Sequence, residues 1–267
     1  MDLYPERFNA GSIQSIYLEI YFSDELHRES ICRSGTGFLV ANSSESPRKV
    51  FLVTAKHNFT GLDFFTNDPL GDQPRLIKIF LPHRKQLRWK PIEIPLYNRE
   101  NNPLWIEHPT KDTDIALLEV HCDELLEYGL PYVDHIVVNP RLNVTDSISV
   151  VGFPLERKGQ YLAIWTTGFV ATDPELDFHF KGEEYPFFLI SAKTWHGQSG
   201  SPVYTGPFAW FSRSNERFYC DSGGFIHLPH MYSGRLNPKE DGKSSDVGIV
   251  WKNTVIREIF HHAIGTT

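Results

Sequence analysis

An all-β chain closed by one terminal helix is what the sequence predicts, and three observations predict it. Short runs rich in Val, Ile, Leu, Phe and Tyr recur along the chain, each bounded by Gly, Pro, Asn or Asp. Helical periodicity is absent until the C-terminus. At 267 residues with 40% hydrophobic content, the chain can bury a sizeable core, and β-barrels of this length commonly count as one domain, here 1–267.

The expected strands are residues 16–22, 37–41, 50–54, 76–81 and 87–96, then 115–120, 136–138, 148–153, 162–171 and 187–191, followed by the short Val203-Tyr204. This is the spacing of a barrel or sandwich. Two halves, about 12–120 and 145–252, are each long enough for one six-stranded barrel. Residues 124–128 read as one helical turn. Val255, Ile256, Ile259 and Phe260 fall at helical intervals with Thr254 as candidate N-cap, so a helix over about 254–263 is expected to lid the β core. Residues 43–49 read as a hairpin tip and 205–224 as a surface insertion. The insertion carries Phe208, Trp210, Phe211, Phe218 and Tyr219, too much apolar surface for a freely solvated loop, so it is expected to pack on the body or on a partner.

A net charge of −7 without a local run of Lys or Arg argues against nucleic acid as a partner. The first residues, Met1-Asp2-Leu3-Tyr4-Pro5-Glu6-Arg7, lack the basic start and apolar stretch of a secretory leader, and no apolar run is long enough to span a bilayer. Cys32, Cys122 and Cys220 are too few and too scattered for a disulfide framework, so a reducing, cytoplasmic setting is expected. The sequons at Asn42, Asn58 and Asn143 are read as chance.

Chemistry concentrates in Gly197-Gln198-Ser199-Gly200-Ser201-Pro202. Flanking glycines let the backbone approach a substrate closely, so that two N–H groups can converge on a developing oxyanion beside a nucleophilic serine. Gly and Ser also build ordinary turns. Serine is a poor nucleophile unaided and needs a base within reach and a group that orients that base. His57 lies just past the apolar run 50–54, and Asp114 stands at the mouth of the run 115–120. Strand ends hold side chains rigidly while facing a cleft. Separately, each residue also reads as an ordinary turn or loop position.

Together, Thr54-Ala55-Lys56-His57, Asp114-Ile115-Ala116-Leu117-Leu118 and Gly197-Gln198-Ser199-Gly200-Ser201-Pro202 resemble, in order, the three motifs of chymotrypsin-like (trypsin-fold) serine peptidases. Gly35-Thr36-Gly37-Phe38, Tyr232-Ser233-Gly234 and Gly248-Ile249-Val250-Trp251 extend the resemblance over nearly the whole chain. It implies two six-stranded antiparallel β-barrels packed around a catalytic cleft, with a C-terminal α-helix. It implies Ser199 as nucleophile, His57 as general base and then acid, Asp114 as orienting carboxylate and the Gly197 and Ser199 N–H groups as oxyanion hole. Ser233 would support Asp114. The specificity pocket would have Lys193 near its floor, Thr194 beside it, and Ser233, Gly234 and Gly248 as walls. Lys193 would then favour an acidic residue before the scissile bond, or else reach solvent and leave Trp195 to narrow the pocket.

The chain departs from extracellular members at Gln198, where most carry an aspartate that pairs with a newly cut N-terminus; activation by such a cut is therefore not expected. Ser201 replaces the commoner glycine, as in glutamyl peptidases, although Tyr232 stands where one group of these has a carboxylate-binding histidine. Together with the absent disulfides, this brings the chain nearer to bacterial and intracellular branches, including HtrA-type catalytic domains. No cofactor is implied. Cys220, His227 and His230 could be read as zinc ligands, but their spacing is irregular and a fourth is lacking. His261 and His262 are adjacent on a helix and point apart. Trp195 and His196 either line the cleft or pack it.

The sequence therefore points to an intracellular serine endopeptidase acting on protein or peptide substrates, switched by loop order or an activating protein partner. A binding or signalling module that keeps the fold with little turnover is the alternative. An esterase is disfavoured, because no Gly-x-Ser-x-Gly elbow with βα alternation is present.

Overall fold

The computed structural model describes residues 10–22, 33–42, 49–82, 89–121, 133, 142–154, 163–205, 210–211, 218–219, 228–236 and 247–265. A short helix, α1 (Ala10–Gln14), leads into β1 (Ser15–Tyr21), β2 (Arg33–Ala41), β3 (Val50–Thr54), the single turn α2 (His57–Thr60), β4 (Leu76–Pro82), β5 (Trp89–Pro95), β6 (Trp105–Ile106) and β7 (Ala116–Glu119). These strands form one antiparallel sheet of order β5-β4-β1-β2-β3-β7-β6. The sheet curls. Its two edges meet at a corner, where the Leu104 N–H donates to the Leu96 carbonyl at 2.9 Å and Tyr97 bridges Pro103.

The second half contains β8 (Ser147–Gly152), β9 (Ile164–Val170), β10 (Phe178–Phe180), β11 (Glu183–Tyr185), β12 (Phe187–Ser191), β13 (Ser201–Thr205), β14 (Trp210–Phe211), β15 (Phe218–Tyr219), β16 (His230–Arg235) and β17 (Val247–Trp251). Six of them close a barrel, β12-β17-β16-β13-β8-β9, while β10-β11 and β14-β15 are separate hairpins. The fold is thus one closed six-stranded barrel beside a curled seven-stranded half-barrel, consistent with a double β-barrel though with one strand more than expected in the first half, and it ends in a C-terminal helix, α3 (Asn253–Ile264). The strand β6 and the β10-β11 pair lay outside the sequence expectation, because strands of two or three residues are too short to display a period of two.

Side-chain alternation explains why the long strands read as unbroken apolar runs. In β3, Leu52 faces the interior of the first sheet while Phe51 and Val53 face outward into a shared core. In β12, Phe188 and Ile190 fill the second barrel while Phe187 and Leu189 join that same shared core. Strands buried on both faces lose the polar half of the pattern. The shared core packs the barrels against each other and takes in Val255, Ile256, Ile259 and Phe260 of α3. Phe260 meets Phe51 edge-on at 5.2 Å, so the helix does lid the core.

Its N-terminus differs from expectation. Thr254 lies inside the helix, Lys252 occupies the cap position, and no side chain of α3 caps it. Instead the His230 ring, on β16, accepts the Asn253 N–H at 3.1 Å through Nδ1, and the Asn253 amide donates to the Leu228 carbonyl at 2.9 Å. A cap supplied by another strand leaves no local mark. Among the described residues no helix is long and apolar enough to cross a membrane. The expected elements at 124–128 and 136–138, the tip at 43–48, most of 205–224, and Cys32, Cys122, Cys220 and His227 lie outside the described residues.

Candidate active site

His57 opens the single turn α2, which Gly61 ends in the left-handed conformation. The Lys56 N–H donates to the Asp114 carbonyl at 3.2 Å, binding this turn to the segment that enters β7. Asp114 is almost wholly buried at 1% exposure, a position a carboxylate tolerates only when its oxygens are well supplied with donors. It has three. Oδ1 accepts the His57 N–H at 2.9 Å, Oδ2 lies 2.7 Å from His57 Nδ1, and Ser233 Oγ donates to Oδ2 at 2.5 Å. With Nδ1–H engaged by the carboxylate, Nε2 is left as the acceptor on the opposite edge of the ring. Burial pushes the His57 pKa down, but the charge of Asp114 and its hydrogen bond outweigh burial and leave it above the ordinary 6.5.

Ser233 reaches Asp114 because β16 is irregular. Its register against β17 shifts between Tyr232 and Gly234, so Ser233 is the extra residue of a bulge. Bulges re-aim a side chain out of the regular alternation.

Ser199 sits at the centre of a turn built on two left-handed glycines, Gly197 at φ 90° and Gly200 at φ 87°. A Cβ on Gly200 would stand 2.0 Å from the Thr36 carbonyl oxygen, and one on Gly197 would stand 2.4 Å from that of Phe153. Only glycine fits. Thr36 fastens the turn to the first barrel: its N–H donates to the Ser199 carbonyl at 2.9 Å and its hydroxyl to the Gly197 carbonyl at 2.7 Å. The Asn58 amide donates to the same Ser199 carbonyl at 3.2 Å and to Thr54 Oγ1 at 2.9 Å, so the residue next to His57 grips the serine turn. Asn58 is buried. From the second barrel, the Tyr232 carbonyl accepts the Gly200 N–H at 2.8 Å.

Gln198 is fully buried between the two residues whose N–H groups would face an oxyanion. Its Oε1 accepts the Trp195 N–H at 2.9 Å and its Nε2 donates to Thr166 Oγ1 at 3.0 Å, which staples the turn to β9. The N–H groups of Gly197 and Ser199 have no protein acceptor among the described residues. Nor does a hydrogen bond join Ser199 Oγ to the His57 ring among the described residues, a contact that commonly tightens only once substrate is bound.

Beside the turn, Lys193 is exposed while Thr194 is buried. The Thr194 hydroxyl lies 2.7 Å from the Tyr232 hydroxyl. Gly248 faces Arg235 across the β16-β17 pair, and the space beside its Cα is filled: a Cβ there would stand 2.8 Å from Tyr232 Cε2 and 3.0 Å from Ile190. A Cβ on Gly234 would meet nothing within 4 Å. Arg235 folds back toward the turn, with one terminal nitrogen donating to the Thr194 carbonyl and Nε 3.5 Å from the Thr194 hydroxyl. Trp195 and His196 are exposed.

Residues 35–206 match the family described as trypsin-like peptidase domain. The chain belongs to the trypsin-like peptidases. Among solved structures, the Rv3671c protease of M. tuberculosis in its active form is similar to it with a TM-score of 0.52 at 14% identity, covering 97% of this chain and 83% of that one. The inactive form of the Rv3671c protease gives a TM-score of 0.50 at 15% identity, covering 96% of this chain and 91% of that one. At such identities the likeness speaks for the fold. A search of curated proteins gave no match.

In this trypsin-like peptidase the residues holding the site together are less visible in the sequence than those it displays. Thr36, Asn58 and Gln198 are ordinary polar residues whose partners lie far along the chain, 161 positions away for Thr36 to Gly197 and 141 for Asn58 to Ser199. Arg235 had one available signal, a cation two residues past Ser233 on the strand already read as a pocket wall. His230, half of the zinc reading, has its Nδ1 occupied by the Asn253 N–H, and His227 and Cys220 lie outside the described residues.

Proposed function

We propose that this trypsin-like peptidase is a serine endopeptidase in which Ser199, His57 and Asp114 act as the catalytic triad. The observation that carries the reading is a buried carboxylate holding Nδ1 of an imidazole at 2.7 Å, in a chain whose adjoining serine turn is tied to the same segment through Asn58. Ser199 Oγ attacks the carbonyl carbon of the scissile peptide while its proton passes to His57 Nε2. The oxyanion is received by the Gly197 and Ser199 N–H groups. Asp114 keeps the ring in the required tautomer and stabilises the imidazolium without taking its proton. The imidazolium then protonates the departing amine, leaving an acyl ester on Ser199. Water attacks that ester with its proton going to His57, and the serine is restored as the carboxylic acid product leaves.

Gln198 supports the expectation that an N-terminal cut is not the switch, since a neutral side chain already occupies the place where a charged pair would otherwise form. Loop order or a protein partner is the proposed control. An intracellular setting rests on the scattered cysteines alone. A module with little turnover is the reading favoured by the open Ser199–His57 contact, and labelling decides between the two. A fluorophosphonate probe is expected to modify wild-type protein at Ser199 and to leave Ser199→Ala and His57→Ala unlabelled. Absence of labelling in folded wild-type protein, with or without peptide substrate present, would remove the peptidase reading.

A further inference from the structure

We propose that Ser12 and Ser15, at the entry to β1, are positioning residues for the serine turn and act on it through the second barrel, a proposal that rests on the peptidase reading above. The segment 10–15 leads into a strand of the first sheet, yet its side chains seat on the second barrel. Gly11 fits between two stacked rings: a Cβ there would stand 2.9 Å from both Trp165 and Tyr204, whose centroids are 6.1 Å apart. Ser12 Oγ accepts the Trp165 Nε1–H at 2.7 Å, and Gln14 Oε1 accepts the Tyr204 hydroxyl at 2.7 Å. Ser15 Oγ donates to the Val151 carbonyl, also at 2.7 Å. Val151 and Trp165 face each other across β8 and β9, so the two serines hold the two members of one cross-strand pair.

From that pair each strand runs directly to the serine turn. Successive side chains of a strand point to opposite faces, so Trp165 meets the segment while Thr166, the next residue, is buried. Thr166 Oγ1 accepts Gln198 Nε2 at 3.0 Å. Along β8, a Cβ on Gly152 would stand 2.0 Å from Ser201 Oγ, which leaves no slack between this strand and the turn. The N–H of the following residue, Phe153, donates to Thr36 Oγ1 at 3.0 Å, and the same hydroxyl donates to the Gly197 carbonyl at 2.7 Å. A hydroxyl that accepts on one side and donates on the other is fixed in direction. Two hydrogen-bonded routes thus leave one cross-strand pair and end on Gly197 and Gln198, the stretch that presents the proposed oxyanion donors. Loss of either serine frees the pair to shift, and close packing passes that shift to the turn. The segment works as part of an uncut chain, so a cut after Gln14 loosens the turn, the reverse of an activating cut.

The test compares wild-type protein with Ser12→Ala, Ser15→Ala and the variant carrying both. Amide hydrogen exchange reads the turn without turnover. The Gln198, Gly200 and Ser201 N–H groups, bonded to the Trp195, Tyr232 and Gln198 carbonyls, should exchange about tenfold faster in each alanine variant while those of β3 keep wild-type rates. On a cleaved peptide, kcat should fall by about tenfold with KM unchanged, the scale of one lost hydrogen bond. Ser12→Ala placed on top of Gln198→Ala should cost less kcat than it does alone, because its route runs through that amide. Exchange that quickens equally in β3 marks the serines as merely structural and overturns the proposal. So does wild-type exchange at 198–201 in the double variant, a loss confined to KM, full additivity with Gln198→Ala, or faster fluorophosphonate labelling of a chain engineered to be cut after Gln14. Wild-type protein that neither labels nor cleaves, with exchange shifted as expected in the variants, supports the coupling while removing the peptidase reading.

Discussion

Replacing Gln198 with alanine removes a fully buried amide that makes one hydrogen bond at each end, at 2.9 Å to the Trp195 N–H and 3.0 Å to Thr166 Oγ1. Each group left behind without a partner costs about 1–3 kcal/mol, so about 2–6 kcal/mol is expected in all. At about 2–4 °C per kcal/mol for a chain somewhat smaller than this one, the melting temperature should fall on the order of 5–25 °C. The catalytic loss should be larger than stability alone suggests. Residue 198 lies between the two proposed oxyanion donors, and misplacing one such donor costs about 10²–10³ in kcat. Steady-state kinetics on a cleaved peptide, with melting measured in parallel, should therefore show kcat down by about 10²–10³ and KM little changed. Gln198→Glu keeps an acceptor for the Trp195 N–H and should recover part of the loss. If folded Gln198→Ala retains kcat within about threefold of wild type, or loses only in KM, the amide does not position the oxyanion turn.

Two further outcomes follow from the site. The base must be neutral to act, and Asp114 holds the His57 pKa above 6.5, so kcat/KM should rise with pH through a limb centred above 6.5. In Asp114→Asn that limb should move to lower pH while kcat falls by about 10⁴, and an unmoved limb would mean that Asp114 does not set the titration. The sign for stability is opposite: the raised value makes the His57–Asp114 pair fully stabilising below pH 6.5, and this contribution is lost as pH climbs through the folded-state value. Gly200→Ala would put a methyl group 2.0 Å from the Thr36 carbonyl oxygen and 2.2 Å from Thr54 Oγ1 at a φ of 87°. It should cost at least about 3 kcal/mol and abolish fluorophosphonate labelling, and wild-type melting with full labelling would contradict the turn geometry.

The strands 50–54 and 187–191 were legible residue for residue, because each is apolar on both faces and ends abruptly at polar or small residues. His57, Asp114 and Ser199 were legible as candidates for a related reason: each lies in a short motif whose local chemistry, a polar group at the end of an apolar run or a serine between glycines, survives in one dimension. Their mutual approach was not written locally. It depends on Thr36, Asn58 and Ser233, whose partners are more than a hundred positions away. The cap of α3 is supplied by His230, on a neighbouring strand, while Thr254 lies inside the helix.

The pocket shows the same limit most sharply. Counting along the chain names Lys193 but cannot say which way it faces, and nothing local announces the bulge at Ser233 that changes the alternation of β16. The sequence by itself determined the β class, the terminal helix and the three motifs, because these are properties of residues near one another in the chain. Only the tertiary structure decided what holds the serine turn and the buried Asp114 carboxylate. Side-chain direction and long-range hydrogen bonds exist only once strands from both barrels are paired and packed.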